Sequence, residues 1–553
     1  MSRYTFTEQH CPETLRTGIL KTINPICLDI LYQRGFHTSE DMEQFLFPSL
    51  MKSIRNHPKF LDTDKAIQHL AMAAEQKSEV TIYHDYDADG ITAAAIGKFC
   101  LEQLGIQVHL YCNNRITGGF GISTEGIEEL LHQYPNTKIV LTVDNGITGL
   151  AGVQRAKSAG LTVLITDHHE PGETLPCADA VIDHKRTDEP SNQYRDSCGA
   201  GVIWETMLWL YVSMGKDISP VMSTLDLVAL GTVADVVPLL GLNRAFVKEG
   251  MQLINDGKRL FFRELFAAME LQSVDSRAIG FRIAPMINAV SRMGHDPSKV
   301  VDLLLSDNSE FVKAGIAKLD EYNQARKVET DRESRLAKAQ LGDSYTEPVI
   351  IFKDETFQEG IIGIIAGQLK ELYEKPAIVF AKDKDGNWKG SCRSLDGFHL
   401  KNALDQCQEY LLSYGGHAKG AGVTVRASDF ELFSAKMEQL ARDAQIPEVL
   451  KPIDIVLPAS AYTAQMVHEL GILEPYGEGF QPPVFGMIAD VVDVRYMGQE
   501  SQHVKYVDKS GLSIILWNQG AQAKLKTKFP RKFVGTPQLN SWNGTISVQF
   551  IAS

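Results

Sequence analysis

The sequence lacks several features that each define a class of protein. No apolar run approaches the roughly 20 residues of a membrane span, and the first residues contain no apolar signal core. The eight cysteines include no CxxC pair, which argues against a zinc ribbon and against a disulfide framework. There is no internal repeat and no low-complexity segment. We therefore expect a cytoplasmic globular protein with free thiols and no membrane association.

An excess of basic residues is also missing. The formal net charge is −14, whereas proteins that bind nucleic acid usually carry a basic footprint. Any such surface must be local here, and bound cations could neutralise part of the acidic excess. The composition, 44% hydrophobic and 22% charged over 553 residues, is that of a globular chain with three or so domains.

Acidic and histidine side chains follow three predicted strands. The apolar run Leu161–Thr166 ends in Asp167-His168-His169 and is rich in β-branched residues, as buried strands are. Val80–Tyr83 runs into His84-Asp85-Tyr86-Asp87-Ala88-Asp89, and Lys138–Val143 runs into Asp144. In open α/β sheets, ligands bind at the carboxyl ends of the strands. The sequence therefore predicts that these side chains share one small space.

Such a concentration of carboxylates implies cations. Like charges at close range raise one another's pKa values or require a counter-ion. Carboxylate and imidazole ligands suit Mg²⁺, Mn²⁺ or Zn²⁺, and the absence of thiolates argues against a structural zinc site. Two cations about 3.5–4 Å apart in such a pocket form the arrangement that hydrolyses phosphoesters. The pattern thus favours a two-metal phosphoesterase.

The order of predicted elements indicates an α/β protein of several parts. Strands and helices alternate from Val80 to about Asp183, which predicts a parallel sheet with crossover helices. Helices dominate to about Leu305, and a polar helix follows. The expected parts are an N-terminal extension (1–60), a catalytic parallel-sheet domain (61–306), a connecting helix (307–340), a second, smaller α/β domain (341–447) and a small C-terminal β-barrel (448–553).

Ordered motifs connect the chain to a known superfamily. Asp87-Ala-Asp89-Gly, Asp144-Asn-Gly, Asp167-His168-His169 and Gly231-Thr-Val-Ala-Asp235 resemble, in order, the motifs of the DHH phosphoesterases. Longer strings are similar to the RecJ family of single-strand-specific 5′→3′ DNA exonucleases; they are Gly280–Gly294, Glu359–Ala366, Gly390–Ser394, Gly415–Gly422 and Glu474–Phe485. The resemblance covers nearly the whole chain past residue 60. It implies a DHH domain, a DHH-associated domain and a barrel of the OB (oligonucleotide-binding) type.

The resemblance implies roles for the residues at the strand ends. The expected ligands of two Mn²⁺ or Mg²⁺ ions are Asp87, Asp89, Asp144, His168 and Asp235, with Asp144 bridging the ions. Asp85 is expected to orient a ligand or a water without binding a metal itself. His169 is expected to face the scissile phosphate as a hydrogen-bond donor or general acid, and Asp167 either to bind metal or to fix an imidazole tautomer. The ordinary interpretation of Asp-x-Asp-Gly alone is a solvated turn, and that of Asp235 is a helix cap.

A second group of residues is expected to hold DNA. The resemblance implies that Arg115, Ser391 and Arg393 bind the 5′-terminal phosphate, for which guanidinium and hydroxyl groups are suited. Gly416 and His417, in a segment with too many glycines for a strand interior, are expected to bring backbone N–H groups to a phosphate. A tight turn and an exposed arginine on an edge strand are the alternatives. Trp517, Trp542 and Tyr496 are either base-stacking residues or barrel core.

The predicted function is metal-dependent 5′→3′ degradation of single-stranded DNA to 5′-mononucleotides, in recombination and repair. A monomer is expected, with a single-strand-binding protein and a RecQ-type helicase as partners. One alternative is a DHH enzyme that cleaves short oligoribonucleotides or cyclic dinucleotides, although such chains are shorter and lack the barrel. Another is an inactive replication scaffold, although such a protein would lack several of the metal ligands.

Overall fold

The computed structural model describes residues 4–6, 9–55, 58–115, 119, 121–190, 196–342, 344–444, 446, 451–498, 500–520, 531–542 and 545–552. The chain forms two compact units. The first combines Met1–Ser53, Pro238–Ala245 and Val449–Ser553, and the second combines Ile54–Val237 and Phe246–Glu448. The N-terminal elements are strand β1 (Tyr4–Phe6) and helices α1 (Pro25–Gln33), α2 (Ser39–Leu46) and α3 (Leu50–Arg55).

A parallel five-stranded sheet forms the centre of the second unit, with the strand order β3-β2-β4-β5-β6. Its strands are nearly all buried, as a sheet covered by helices on both faces requires. The elements in this region are α4 (Thr63–Gln76), β2 (Glu79–His84), α5 (Ala88–Gln103), β3 (Val108–Tyr111), α6 (Thr124–Gln133), β4 (Thr137–Val143), α7 (Leu150–Ser158), β5 (Thr162–Thr166) and β6 (Ala180–Ile182).

Helices then continue to residue 341. They are α8 (Gly199–Ser213), α9 (Ser219–Met222), α10 (Leu225–Ala234), α11 (Gly241–Asn255), α12 (Leu260–Met269), α13 (Ser276–Ala278), a π-helical turn (Ile279–Ile283), α14 (Ala284–Arg292), α15 (Ser298–Leu305) and α16 (Ser309–Leu341). Helix α16 has 33 residues, and Asn308 caps it by accepting a hydrogen bond from Phe311 N–H. Its first half packs against α12 and α14, and its second half against α17 (Ile362–Tyr373). One rigid element therefore connects two domains.

The second α/β domain contains a mixed five-stranded sheet of order β10-β11-β9-β8-β7. Its remaining elements are β7 (Ile350–Lys353), β8 (Ala377–Lys382), β9 (Trp388–Arg393), α18 (Leu400–Asp405), β10 (Leu411–Gly416), β11 (Gly420–Val425) and α19 (Phe430–Asp443). Strand β9 is the central strand of this sheet. The alternative that placed Arg393 on an edge strand is therefore wrong.

The first unit joins the two ends of the chain in one core. Its C-terminal elements are β12 (Lys451–Ile453), β13 (Ile455–Val456), α20 (Ala464–Glu469), β14 (Phe485–Ala489), β15 (Val491–Met497), β16 (His503–Asp508), β17 (Ser513–Leu516), β18 (Arg531–Trp542) and β19 (Thr545–Ala552). Buried residues of α1 and α2 pack in the same cluster as Phe485, Tyr506 and Phe550. Strand β1 pairs in parallel with β12. The N-terminal segment is thus part of the barrel unit.

The fold class predicted from sequence is confirmed: a parallel-sheet α/β domain, a long connecting helix, a smaller α/β domain and a C-terminal β-structure. Helix α16 differs from the predicted range 307–340 by two residues at its start and one at its end. Within the part of the chain described, no helix is long and apolar enough to cross a bilayer.

Candidate active site

The predicted residues meet at the carboxyl edge of the parallel sheet. Strands β2, β4 and β5 are neighbours, so the segments that follow them begin side by side. The Asp144 amide donates to the Thr166 carbonyl over 2.9 Å, and this bond ties the end of β4 to the end of β5. Asp235 reaches the same place from the C-terminal end of α10.

Asp87 and Asp89 lie at the start of a helix. Helix α5 begins at Ala88, and Asp87 caps it by accepting hydrogen bonds from the N–H groups of Asp89 and Gly90. Asp89 lies in the first turn and accepts from the N–H groups of Gly199 and Ala200 at the start of α8. The two carboxylates belong to different groups of candidate ligands, since Asp87 lies with Asp85 and Asp144, whereas Asp89 lies with His168 and Asp235.

His168 lies among three carboxylates without forming a hydrogen bond to any of them. Its Nε2 atom is 3.0 Å from Asp144 Oδ1, 3.6 Å from Asp235 Oδ2 and 3.8 Å from Asp89 Oδ2. Neither ring nitrogen, nor Asp144 Oδ1, has a hydrogen-bond partner among the described residues, although all three atoms are buried. Burial lowers the pKa of His168 well below its usual value. A neutral imidazole is the form that binds metal.

The carboxylates of this cluster destabilise one another in the absence of cations. Burial and the neighbouring acids raise the pKa of Asp144 and of Asp235 well above the usual range. Burial and Asp87 raise the pKa of Asp89 to about 6, although two backbone N–H groups oppose that shift. Buried unpaired polar atoms and mutual repulsion are both relieved by divalent cations. The donor set therefore fits such ions.

Ligand atoms in the cluster fall into overlapping groups in which all atoms lie within 4.8 Å of one another. One group contains Asp89, His168 and Asp235, and another contains Asp85, Asp87 and Asp144. A third, formed by Asp144, His168 and His169, overlaps both. The grouping fits two cation positions with Asp144 near both. The grouping also includes Asp85, whose buried Oδ1 atom has no hydrogen-bond partner among the described residues.

Asp167 holds His169 in one orientation. Its Oδ1 atom is 2.7 Å from His169 Nδ1 and accepts from the N–H of His168, while Oδ2 accepts from Ile147 N–H. Asp167 is thus occupied by hydrogen bonds, which favours the tautomer-fixing role over metal binding. Burial alone would lower the pKa of His169, but the Asp167 carboxylate outweighs it and raises that pKa to about 10. The raised pKa favours the protonated form of His169, which can donate a hydrogen bond.

Ser391 and Arg393 share one face of β9. Arg393 Nη1 donates to Ser391 Oγ over 3.3 Å and to the Cys392 carbonyl over 2.8 Å. The N-terminus of α17 approaches them closely, since a Cβ added at Gly363 would lie 2.9 Å from Ser391 Oγ and 3.2 Å from Arg393 Nη2. A guanidinium, a hydroxyl and a helix N-terminus together form an anion site.

Arg292, which the sequence analysis did not select, adds to this anion site. It ends α14, and its Nη1 donates to the Gly360 carbonyl just before α17. Burial, together with the charges of Arg115 and Arg393, lowers the pKa of Arg292 to about 9. Arg115 itself lies over the Tyr86 ring at 4.4 Å. The signal for Arg292 was present in the string Gly280–Gly294, but spacing alone gave it no role.

Gly416 is explained by the turn in which it lies. Its φ of 134° and the 2.4 Å from an added Cβ to the Gly420 carbonyl both require glycine. The His417 N–H donates to that same carbonyl, so it is not directed at a ligand. The tight-turn interpretation is therefore correct for the backbone. The His417 side chain remains next to the site, where Lys185, Arg393 and His169 contribute, after burial, to lowering its pKa.

Three family models match the chain, each over a different part. The DHH family N-terminal domain matches residues 79–232, the DHHA1 domain matches residues 346–443, and the RecJ OB domain matches residues 453–553. The expected catalytic, associated and barrel domains are thus each matched, which confirms the resemblance inferred from the motifs.

Relatives and solved structures agree with these matches. The chain is 30% identical over 545 residues to the single-stranded-DNA-specific exonuclease RecJ of Bacillus subtilis, covering 94% of this chain and 66% of the relative. It is 32% identical over 520 residues to RecJ of Thermus thermophilus, covering 94% and 73%. The crystal structure of Thermus RecJ with Mn²⁺ has a TM-score of 0.85 at 29% identity and covers 100% of this chain and 79% of that one; the Mg²⁺ complex has a TM-score of 0.79.

Proposed function

The chain belongs to the RecJ family of single-stranded-DNA-specific exonucleases, and we propose that it degrades such DNA from the 5′ end to 5′-mononucleotides. The observation that carries the proposal is the juxtaposition of the carboxylate–imidazole cluster with the arginine site. The carboxylate–imidazole cluster fits the scissile phosphate with its cations, and the arginine site fits the 5′-terminal phosphate. Both belong to the same compact unit.

The cations in this proposal are two Mn²⁺ or Mg²⁺ ions. The proposed ligands are Asp87, Asp89, Asp144, His168 and Asp235. Asp85 is a further proposed ligand, because its buried Oδ1 atom has no hydrogen-bond partner among the described residues. When bound, divalent ions supply charge stabilisation and lower the pKa of water, which is the chemistry that phosphoester hydrolysis needs. Helix α8 supports the arrangement from behind, because its first N–H groups fix the Asp89 carboxylate.

His169 donates a proton or a hydrogen bond at the scissile phosphate. The Asp167 carboxylate raises the pKa of His169, which favours the protonated ring, and its contact with Nδ1 fixes the orientation of the ring. The oxygen that needs a proton is the 3′ oxygen of the released nucleotide. Asp167 positions the ring and stabilises its charge without contacting DNA.

The arginine site sets the polarity of cleavage. Arg115, Arg292, Ser391 and Arg393 bind the 5′-terminal phosphate next to the N-terminus of α17. A strand whose 5′ phosphate is fixed there presents one particular phosphodiester to the cations, namely the first. The enzyme therefore removes one nucleotide at a time from that end.

The barrel unit offers a surface for the rest of the strand. In β16, His503, Lys505 and Val507 alternate with buried residues and so face outward. His503 contacts Trp517 edge to face at 4.8 Å, and Trp517 is 51% exposed. Tyr496 is 40% exposed, so neither Tyr496 nor Trp517 is core; the Trp542 side chain lies outside the described residues. Aromatic and basic side chains on an OB-type sheet bind single strands by stacking and charge.

The partners and cellular setting complete the proposal. We expect a monomer in the cytoplasm, with a helicase of the RecQ type supplying single strands and a single-strand-binding protein presenting them. Recombination and repair are the corresponding pathways. The two alternatives from the sequence lose support, because the OB domain is matched and the full ligand set is present.

A 5′-phosphorylated, single-stranded oligonucleotide labelled at either end tests the function. In Mn²⁺, immediate mononucleotide release from the 5′ label and a shrinking ladder from the 3′ label are expected. The matching duplex and an EDTA sample should stay intact. Asp144→Ala should abolish the reaction, and full metal-dependent activity in that variant would refute the proposal. Cleavage confined to very short oligoribonucleotides, or binding without cleavage, would support the alternatives instead.

A further inference from the structure

The end of β6 carries a cation to which the proposed mechanism gives no role. Strand β6 pairs with β5, and the segment Asp183-His184-Lys185 follows it beside Asp167-His168-His169. The Asp167 N–H donates to the Ile182 carbonyl over 3.0 Å, which continues the pairing past the strand ends. Lys185 N–H donates to Asp183 Oδ1 over 2.7 Å, and Lys185 Nζ lies 3.6 Å from Glu170 Oε1.

Charged groups follow one another along the carboxyl edge of the sheet in the order of the strands. Arg115 follows β3 at one edge, the carboxylates follow β2 and β4, the imidazoles follow β5, and Lys185 follows β6 at the other edge. The side chains at both edges of the sheet approach the segments of inner strands. Arg115 lies over Tyr86, which follows β2, and Lys185 approaches Glu170, which follows β5. The anionic cluster is therefore flanked by a cation on each side.

We propose that Lys185 binds the first phosphate on the 3′ side of the scissile bond, so that bound DNA runs along the sheet edge from β3 towards β6. The inference rests on the proposed 5′→3′ exonuclease function. It extends that function by assigning the direction in which the DNA strand runs. It also assigns a residue that binds the phosphate after the scissile one, which is the third phosphate counted from the 5′ end.

The spacing of the strands supports this path. Adjacent strands are about 4.8 Å apart, and one nucleotide of an extended strand is longer than one such step and shorter than two. With the 5′ phosphate beside Arg115, the scissile phosphate falls over β2 and β4, where the carboxylates lie. The following phosphate then falls near β5, and Lys185 Nζ approaches the segment after β5 from the neighbouring strand β6.

Lys185 also lies where the two domains of this unit face each other. Its charge acts on His168 and Asp235 of the metal cluster and on His417 of the second α/β domain. Its side chain is 29% exposed, whereas the Glu170 side chain is 67% exposed and can turn away. A phosphate that entered would thus replace an exposed carboxylate as the partner of a half-buried ammonium group.

A single neutral linkage tests the assignment. The probe is a 5′-³²P-phosphorylated oligothymidylate with a methylphosphonate between the second and third nucleotides, compared with the all-phosphate strand. Release of the first nucleotide is measured in Mn²⁺. For the wild-type protein, we expect the methylphosphonate to lower kcat/KM about tenfold, the loss of one charged contact. Lys185→Gln should lower kcat/KM about tenfold on the all-phosphate strand, and the methylphosphonate should then add less than twofold.

Two further variants make the result specific. Lys216→Gln removes an exposed lysine that follows the C-terminal end of α8. That helix is about 22 Å long, and its N-terminal end is the one at the metal site. This variant should behave as wild type on both strands. Glu170→Gln removes the competing carboxylate and should lower KM on the all-phosphate strand only.

The outcomes separate this inference from the function on which it rests. Independent, multiplying losses from Lys185→Gln and the methylphosphonate would overturn the assignment of Lys185 while leaving the exonuclease intact. If the wild-type protein releases no nucleotide from the 5′ end, the proposed function fails first and the inference fails with it.

Discussion

His168 Nε2 and Asp144 Oδ1 lie 3.0 Å apart without hydrogen-bonding each other. Both atoms are buried, and within the described part of the chain neither has another hydrogen-bond partner. A buried imidazole nitrogen and a buried carboxylate oxygen without hydrogen-bond partners carry a desolvation cost that a bound cation removes. The metal-free site therefore lowers the stability of the fold, and metal binding should raise it.

Asp144→Asn should make the metal-free protein more stable while abolishing its response to metal. The substitution removes a buried charge whose pKa burial and four neighbouring acids raise, so the melting temperature in EDTA should rise by several degrees. The wild-type protein should gain stability on addition of Mn²⁺, as RT ln(1 + [Mn²⁺]/Kd), and the variant should not. Thermal unfolding with and without Mn²⁺ measures both effects. Asp385→Asn, in an exposed turn, is the control; a destabilised Asp144→Asn protein in EDTA would contradict the argument.

Asp167→Asn should act through His169. The amide cannot supply the charge that raises the pKa of His169, so the general acid weakens and kcat should fall roughly 10²-fold. KM for DNA should change little, because the Asp167 carboxylate is fully buried behind its contact with His169. In a double-mutant cycle, Asp167→Asn should add almost nothing to His169→Gln. Additive losses would show that Asp167 acts independently, for instance as a metal ligand.

Arg393→Gln should impair recognition of the 5′ phosphate specifically. A charge-assisted bond to phosphate is lost, and kcat/KM on a 5′-phosphorylated strand should fall roughly 10- to 100-fold. On the same strand with a 5′ hydroxyl the loss should be several-fold smaller. Arg442→Gln, on the exposed end of α19 where the side chain forms an ion pair with Glu347, is the matched control. Equal losses on both substrates would argue against the terminal-phosphate assignment.

Gly199→Ala should disrupt the metal site by a steric clash with Asp144, without removing any ligand. A Cβ at this position would lie 2.5 Å from Asp144 Cβ and 2.7 Å from its Cγ, so the carboxylate must move. We expect a loss of Mn²⁺-dependent activity of more than tenfold, since displacements near 1 Å are costly in catalysis. Gly201→Ala, two residues along α8 with its nearest contact at 3.2 Å, should retain most activity. The comparison is made by titrating both variants with Mn²⁺ and measuring nuclease activity at each concentration.

Glu333 should make stability depend on pH. The carboxyl is fully buried in α16, where burial raises its pKa to about 7, against about 4.3 in the unfolded chain. Its stabilising contribution is complete below pH 4 and is lost as the pH rises to 7, by up to ~4 kcal/mol. Glu333→Gln should therefore raise the unfolding free energy at pH 8 more than at pH 5. Glu329→Gln, which changes a more exposed neighbour, should show no such difference between denaturant titrations at the two pH values.

The positions of the metal-site residues were predictable because strand ends in a parallel sheet must meet at one edge. The local geometry of Asp87 and Asp89 was not, since the helix that begins at Ala88 is stabilised by tertiary bonds from Asp89 to α8. The partner of the N-terminal segment depends on contacts with residues more than 400 positions away, such as Arg34 with Asp454, which no local pattern reveals.

The shared core of the first and last segments has a consequence for synthesis on the ribosome. Helices α1 and α2 leave the exit tunnel early, yet the apolar faces they bury are covered by Phe485, Tyr506 and Phe550. Until those residues are translated, the nascent chain carries an open hydrophobic surface at its front end while the catalytic sheet can already fold behind it. Premature termination within the barrel would leave a folded catalytic domain attached to helices α1 and α2 with their apolar faces exposed. We expect chaperones to bind such fragments.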